Sequence, residues 1–248
     1  MTKMKKCLYV ECAKYYDLFV NKKEINKEIE FISRLLNKFK VKFVLDIGCG
    51  TGLYLIGLKK KGFDVEGLDL SKEMLKEVRK KSKKIKLYNK SMLNFRINKK
   101  YDAITCLSST LLALPNFKLI EKAIKNFYEH LNLKGILFLD LPNHLKEIRE
   151  CNNVKKHTSY NLPEGRFDST EISCKKGNKW VEKWYGIVRK GNKVSKFKDI
   201  WEEFIFQPKM LVISLKKIGF KILKIYGSMM GDRFDKNKSW RIVYLCRK

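Results

Sequence analysis

The nine residues Val44-Leu45-Asp46-Ile47-Gly48-Cys49-Gly50-Thr51-Gly52 constrain this chain more than any other stretch. Val41, Phe43, Val44, Leu45 and Ile47 make a near-continuous apolar run, the pattern of a central parallel strand covered on both faces. Three glycines then fall within five positions, so the backbone there can take positive φ and a ligand can approach with no Cβ in the way. Leu53, Ile56 and Leu58 begin a helical pattern that Gly62 closes. A strand, a glycine turn and a helix in that order predict a ligand at the carboxyl edge of the strand, over the helix N-terminus.

Spacing narrows the ligand. A dinucleotide fingerprint is Gly-x-Gly-x-x-Gly, whereas here the order is Gly48-x-Gly50-x-Gly52, preceded by the acid Asp46. The segment Gly62 to Ser71 reads as a second strand ending in Asp69, a carboxylate suited to a ribose diol. The two segments, Asp-x-Gly-Cys-Gly-Thr-Gly and Gly-Leu-Asp-Leu-Ser, resemble motifs I and II of the class I S-adenosylmethionine-dependent methyltransferases. That resemblance implies an α/β fold, a Rossmann-like doubly wound sheet of seven strands with an antiparallel last strand. It also implies S-adenosyl-L-methionine as cofactor, leaving as S-adenosyl-L-homocysteine. By the same resemblance the cofactor shell is Tyr16, Asp46, Gly48, Cys49, Gly50, Gly52, Asp69, Leu70, Ser91, Met92 and Leu107.

The alternation of strands and helices continues. Ser71 is an N-cap with Glu73 in the first turn and Met74, Leu75 and Val78 on the buried face. A third strand at 85–88 leads to Lys90-Ser91-Met92-Leu93-Asn94-Phe95, which resembles the family's adenine loop, with Ser91 where the family commonly has an acid. Ser91 offers a weaker, uncharged acceptor, and the Met92 N–H can still reach a ring nitrogen. The fourth strand, 99–107, is followed by Ser108-Ser109-Thr110-Leu111-Leu112. Family members that methylate planar amino groups of bases or glutamine carry Asp/Asn-Pro-Pro-Tyr/Phe there, so that substrate class is disfavoured. Cys106, with no Pro-Cys pair and no electropositive context, reads as a core residue. A helix from Phe117 to Leu131 and a fifth strand, 136–141, complete this part.

Residues 143–206 break the alternation. Strands are predicted at 170–174, 179–188 and 197–206, with hairpin turns at Lys176-Gly177-Asn178 and Lys190-Gly191-Asn192, giving a small antiparallel β insertion after strand five. Its position resembles that in small-molecule N-methyltransferases of glycine/sarcosine and sugar-amine type, where such a sheet covers the acceptor. The chain thus divides into an N-terminal helical cap (1–40), a cofactor-binding core (41–142), the insertion as acceptor lid (143–206) and the C-terminal part of the core sheet (207–248). In the cap, two helices at the sheet edge are expected, and Tyr15-Tyr16-Asp17-Leu18 either lays Tyr16 towards the methionyl end of the cofactor or simply packs by its aromatics. Alternation puts Trp180, Glu182 and Trp184 on one face of their strand and Val181, Lys183 and Tyr185 on the other. One face packs on the core and the other roofs the acceptor, or the aromatics only anchor the small sheet.

The function expected is methyl transfer to a small-molecule acceptor, most plausibly an amine. If the acceptor is a hydroxyl it needs a base, and His144, just past strand five, is the best-placed imidazole; the alternative is a solvated loop histidine. The formal charge of +29 raises a second class, an RNA or tRNA methyltransferase with a basic track. Against it, 46 of the 55 basic residues are Lys, spread through every segment, and only nine are Arg, the residue that matches phosphate best. Seven cysteines with no Cys-x-x-Cys and only three histidines point to neither a disulfide framework nor a metal site. No apolar run reaches membrane-spanning length, and the basic start Met1 to Lys6 is followed by Leu8-Tyr9-Val10 interrupted at Glu11, too soon for a signal sequence. A cytoplasmic enzyme is expected, with no signal for any oligomeric state.

Overall fold

A computed structural model describes residues 7–163 and 165–248, without the side chain of Cys7. The basic start at residues 1–6, weighed above as a leader, lies outside the described residues. Seven strands form one sheet in the order β10-β11-β5-β4-β1-β2-β3. They are β1 (Phe43–Ile47), β2 (Asp64–Asp69), β3 (Lys86–Asn89), β4 (Tyr101–Cys106), β5 (Leu131–Pro142), β10 (Lys221–Tyr226) and β11 (Arg241–Arg247). β1 to β5 pair in parallel, and β11 lies antiparallel between β5 and β10. The doubly wound sheet with an antiparallel last strand is therefore the observed one.

Alternation along β1 explains the two layers. Val44 points to one face with Ile32 and Leu36 of α1 (Lys22–Lys38), Leu55 and Leu58 of α2 (Leu53–Lys60) and Val78 of α3 (Lys72–Lys81). Leu45 and Ile47 point to the other, with Ile120, Ile124 and Phe127 of α4 (Phe117–His130) and Leu211 and Leu215 of α6 (Pro208–Ile218). Each such buried aliphatic side chain contributes roughly 1.5–3 kcal/mol relative to exposure, so both faces drive the strand inwards. Asn21 caps α1, Ser71 caps α3 and Asn116 caps α4, each accepting backbone N–H bonds from the first turn.

Three differences from the sequence reading stand out. α1 lies on a face of the sheet, against Phe138, Val243 and Leu245, not at its edge; its Ile29-Ile32-Leu36 stripe is wide enough to cover the parallel strands. The segment before it forms two 3₁₀ turns, Cys7–Tyr9 and Ala13–Leu18, in place of a second helix. β5 starts at Leu131 and not at Ile136, because Leu131 already pairs with Tyr101 before residues 132–135 loop out around Lys134 at φ 64°.

The insertion holds four strands where three were expected: β6 (Val154–Leu162), β7 (Gly165–Lys176), β8 (Lys179–Lys190) and β9 (Lys193–Phe204), all antiparallel. A short helix, α5 (His144–Cys151), precedes them. One face carries Phe167, Trp184 and Val188, which pack on Leu8, Cys12, Tyr15 and Phe19 of the N-terminal segment. The same face carries Trp180 and Glu182, while Lys183 and Tyr185 on the other are partly exposed. The insertion thus rests on the N-terminal segment as well as on the core. Among the described residues no helix is long and apolar enough to cross a membrane.

Candidate active site

The glycine turn takes the geometry that its composition allows. Gly48, Gly50 and Gly52 sit at φ 70°, 51° and 83°, in the left-handed region that favours glycine. A Cβ at Gly48 would fall 2.0 Å from Thr110 Cγ2, so this position is closed by packing. A Cβ at Gly50 would have nothing within 4 Å, so this position opens onto free space at the carboxyl edge. The Gly48 and Cys49 amides donate to Leu68 O at 2.7 and 3.1 Å, tying the turn to the end of β2.

Asp69 completes that tie. Its Oδ2 accepts the Gly50 N–H at 2.8 Å and its Oδ1 accepts the Ser71 N–H at 2.8 Å. A carboxylate has about four lone-pair sites, so acceptor capacity remains for a diol hydroxyl. Burial pushes its carboxyl up from the ordinary range, opposed by these backbone bonds. Asn89, at the end of β3, donates to Asp69 O and Leu70 O at 3.1 and 2.9 Å and fixes the strand ends; sequence reasoning did not single it out. The cradle therefore has the features a nucleoside-bearing cofactor needs: open backbone at Gly50 and a fixed carboxylate with spare acceptor capacity.

The other predicted residues distribute around this centre. Asp46 lies below the turn, 3% exposed, accepting Thr105 Oγ1 at 2.7 Å; burial first and the Asp69 charge second push its carboxyl up to about 7. Cys49 and Leu107 are buried, and burial raises the Cys49 thiol well above its usual value. Leu70 is 74% exposed, the one predicted shell residue that stands out in solvent. Ser91 Oγ accepts the Leu93 N–H at 3.3 Å, and Met92 O is held by Asn126 Nδ2 at 3.1 Å. Tyr16 is half-buried, with its phenol raised by burial and then by Asp69 and Asp17. Its segment is fastened to the cradle, since Thr51 Oγ1 donates to Asp17 at 2.5 Å and Ser71 Oγ donates to Tyr9 O at 2.5 Å.

This geometry has known counterparts. Residues 44–135 match the family described as "Methyltransferase domain". A dTDP-3-amino-3,4,6-trideoxy-alpha-D-glucopyranose N,N-dimethyltransferase of Streptomyces venezuelae is 30% identical over 135 residues, 53% of this chain and 57% of that one. A glycine/sarcosine N-methyltransferase of Halorhodospira halochloris is 32% identical over 165 residues, 61% of each chain. The chain thus spans between half and two thirds of the length of the curated relatives it matches. In fold, it is similar to an S-adenosylmethionine-dependent methyltransferase from Clostridium acetobutylicum, with a TM-score of 0.82, 24% identity and coverage of 96% and 97% of the two chains.

Beyond residues 44–135, the insertion brings together a second group of side chains. His144 opens α5 and is 7% exposed, not a solvated loop histidine. Its Nε2 lies 3.0 Å from Glu203 Oε2 on β9 and 3.8 Å from Glu147 Oε2. Glu182 on β8 accepts both indole N–H groups of Trp180 and Trp201, and burial followed by the Glu203 charge raises its carboxyl to about 7. Tyr9 bridges the two groups, its ring 6.1 Å from that of Tyr16 and its phenol raised by burial and by the Tyr16, Glu203, Asp199 and Glu182 charges. Glu147, Glu182, Glu203 and Tyr9 were not singled out as site residues. The available signal was acidic positions on strands of a chain that has 26 acids against 55 bases. Among the described residues, no group of His, Cys, Asp and Glu is arranged to hold a metal ion.

Proposed function

We propose that this chain is an S-adenosylmethionine-dependent methyltransferase acting on a small-molecule amine. The observation that carries the reading is Asp69, fixed by the Gly50 and Ser71 amides with acceptor capacity left over, beside backbone opened by Gly50. In this reading Asp69 receives the ribose hydroxyls, Gly48, Cys49, Gly50 and Gly52 line the path of the methionyl part, and Leu70, Ser91 and Met92 border the adenine. Leu107 closes the floor, Asp46 supports the turn from beneath, and Tyr16 covers the cofactor. When bound, S-adenosylmethionine supplies an electrophilic methyl on a sulfonium. The protein's share is alignment and exclusion of water, which the Tyr9 to Leu18 segment and the insertion provide as roof.

An amine reacts through its free lone pair, so an ammonium must lose a proton before transfer. The face of β8 and β9 offers Glu182 and Glu203 for that cation, and a carboxyl near 7 takes up a proton around neutrality. His144, held by Glu203, is the base this site would lend to a hydroxyl acceptor. The relatives named above act, by their names, on a sugar amine and on glycine or sarcosine, which favours the amine over the RNA alternative. The test is transfer of labelled methyl from S-adenosylmethionine to a panel of small amines, amino sugars and RNA. Transfer to an amine only is the expected result; transfer to RNA only, or none from a protein that binds no cofactor, contradicts the reading.

A further inference from the structure

Directly after β4, Ser108 and Ser109 take φ values of 50° and 60°, two adjacent non-glycine residues in the left-handed region. That conformation is disfavoured for any L side chain, and two in succession need outside support. The support comes from Asp140 of β5 and Arg241 of β11. Asp140 Oδ2 accepts the Ser108 N–H at 2.9 Å and Asp140 O accepts the Ser109 N–H at 3.2 Å. Arg241 donates through Nε to Asp140 Oδ1 at 2.7 Å, through Nη2 to Oδ2 at 2.5 Å, and through the same nitrogen to Ser109 Oγ at 3.1 Å. The fork thus grips both the carboxylate and the turn that it holds.

The turn delivers Thr110 to the one place beside Gly48 that a side chain there would fill. It also walls an open cavity of about 290 Å³, shared with Tyr54, Glu28, Asp140 and Arg241. A buried ion pair is weak support for stability as such, because apolar residues of similar volume often serve as well. A pair that also satisfies two strained amides and a hydroxyl at the ligand edge has a different use. We infer that Asp140 and Arg241 are positioning residues that hold the Ser108-Ser109 turn in its left-handed form, and through Thr110 set the shape of the glycine turn at Gly48. The inference rests on the reading of this edge as the cofactor and acceptor site.

Arg241→Lys keeps a positive charge beside Asp140 but loses the planar fork. Hydrogen exchange read by mass spectrometry on segments 104–112 and 46–53, with calorimetric titration of S-adenosylhomocysteine, tests the inference. Exchange should rise about tenfold in both segments and stay near parental values in β2 and β11, and S-adenosylhomocysteine affinity should fall about tenfold. Adding Ser109→Gly, which accepts positive φ without strain, should restore a substantial part of both. Ser109→Ala alone, which removes only the hydroxyl contact, should move both readouts in the same direction by about threefold, and it decides the matter if Arg241→Lys does not fold. Unchanged exchange in the two segments, a uniform rise across the whole sheet, or a faster turn with unchanged affinity would overturn the inference. If the parent binds no S-adenosylhomocysteine, the functional reading fails on its own, and the exchange pattern with its glycine rescue still judges the positioning role.

Discussion

His144 Nε2 and Glu203 Oε2 lie 3.0 Å apart, joining the first residue of α5 to the last strand of the insertion. The same imidazole nitrogen lies 3.8 Å from Glu147 Oε2, and the Glu203 carboxylate that it meets adds to burial in raising the Glu182 carboxyl and the Tyr9 phenol. In the proposed reading the binding groups of the glycine turn and the acceptor-side groups of the insertion come from two separate sheets, so each can be perturbed alone.

Glu182→Gln should raise the KM for an amine acceptor about tenfold or more while S-adenosylhomocysteine affinity changes less than twofold. In the proposed reading this carboxylate serves the acceptor, and its oxygens accept the Trp180 and Trp201 indole N–H groups, away from the glycine turn's own hydrogen bonds. Steady-state kinetics paired with calorimetry checks this, and an equal loss in both quantities would assign Glu182 to general stability.

Gly48→Ala and Gly50→Ala should separate folding from binding. Both force an alanine into left-handed φ, costing about 1–2 kcal/mol. Only Gly48→Ala adds a clash, with Thr110, so its melting temperature should fall well below that of Gly50→Ala. Gly50→Ala should fold and yet lose cofactor affinity, because its Cβ enters the ligand's space.

Asp46 predicts a pH dependence of stability. Its folded carboxyl titrates near 7, above the usual unfolded value near 3.8, so between those values the native state binds more protons than the unfolded state. Stability is complete below the unfolded value and is lost as pH rises through about 7. Asp46→Asn, which can still accept from Thr105, should flatten the urea midpoint between pH 5 and 8 and gain about 1–3 kcal/mol over the parent at pH 8. A parental midpoint that rises with pH over this range would contradict the assignment.

Trp184→Ala should cost about 3–5 kcal/mol, since the ring is fully buried against Phe167 and Phe19. Thermal melts with calorimetry at a temperature where the variant is folded should show unchanged cofactor affinity. Lost affinity would mean that the insertion shapes the cofactor cradle as well as the acceptor side.

What was legible in the sequence follows the range of the interactions. β1, the glycine turn and the strand ending at Asp69 are local patterns, and the Gly50 to Asp69 bond spans only 19 positions. β6 was missed because Val154-Lys155-Lys156-His157-Thr158-Ser159 is an exposed edge with no apolar face to alternate, and α5 because eight residues barely establish a period. The lid was expected to use its two faces for two tasks. The face that carries Trp184 packs on the N-terminal segment, a partner that the strand pattern alone does not name. The second half of the site depends on meetings no local pattern encodes: Leu8 N–H with Asp199 across 191 positions, and Arg241 with Ser109 across 132.

The most direct test of the central claim is calorimetric titration of the purified protein with S-adenosylhomocysteine and, separately, with NAD, for the parent and for Asp69→Ala. One S-adenosylhomocysteine should bind per chain with no measurable NAD binding, and Asp69→Ala should lose about 1–3 kcal/mol in S-adenosylhomocysteine binding, the range for a hydrogen bond to a charged group. NAD binding as tight as or tighter than that of S-adenosylhomocysteine, or an Asp69→Ala protein that binds S-adenosylhomocysteine like the parent, would contradict it.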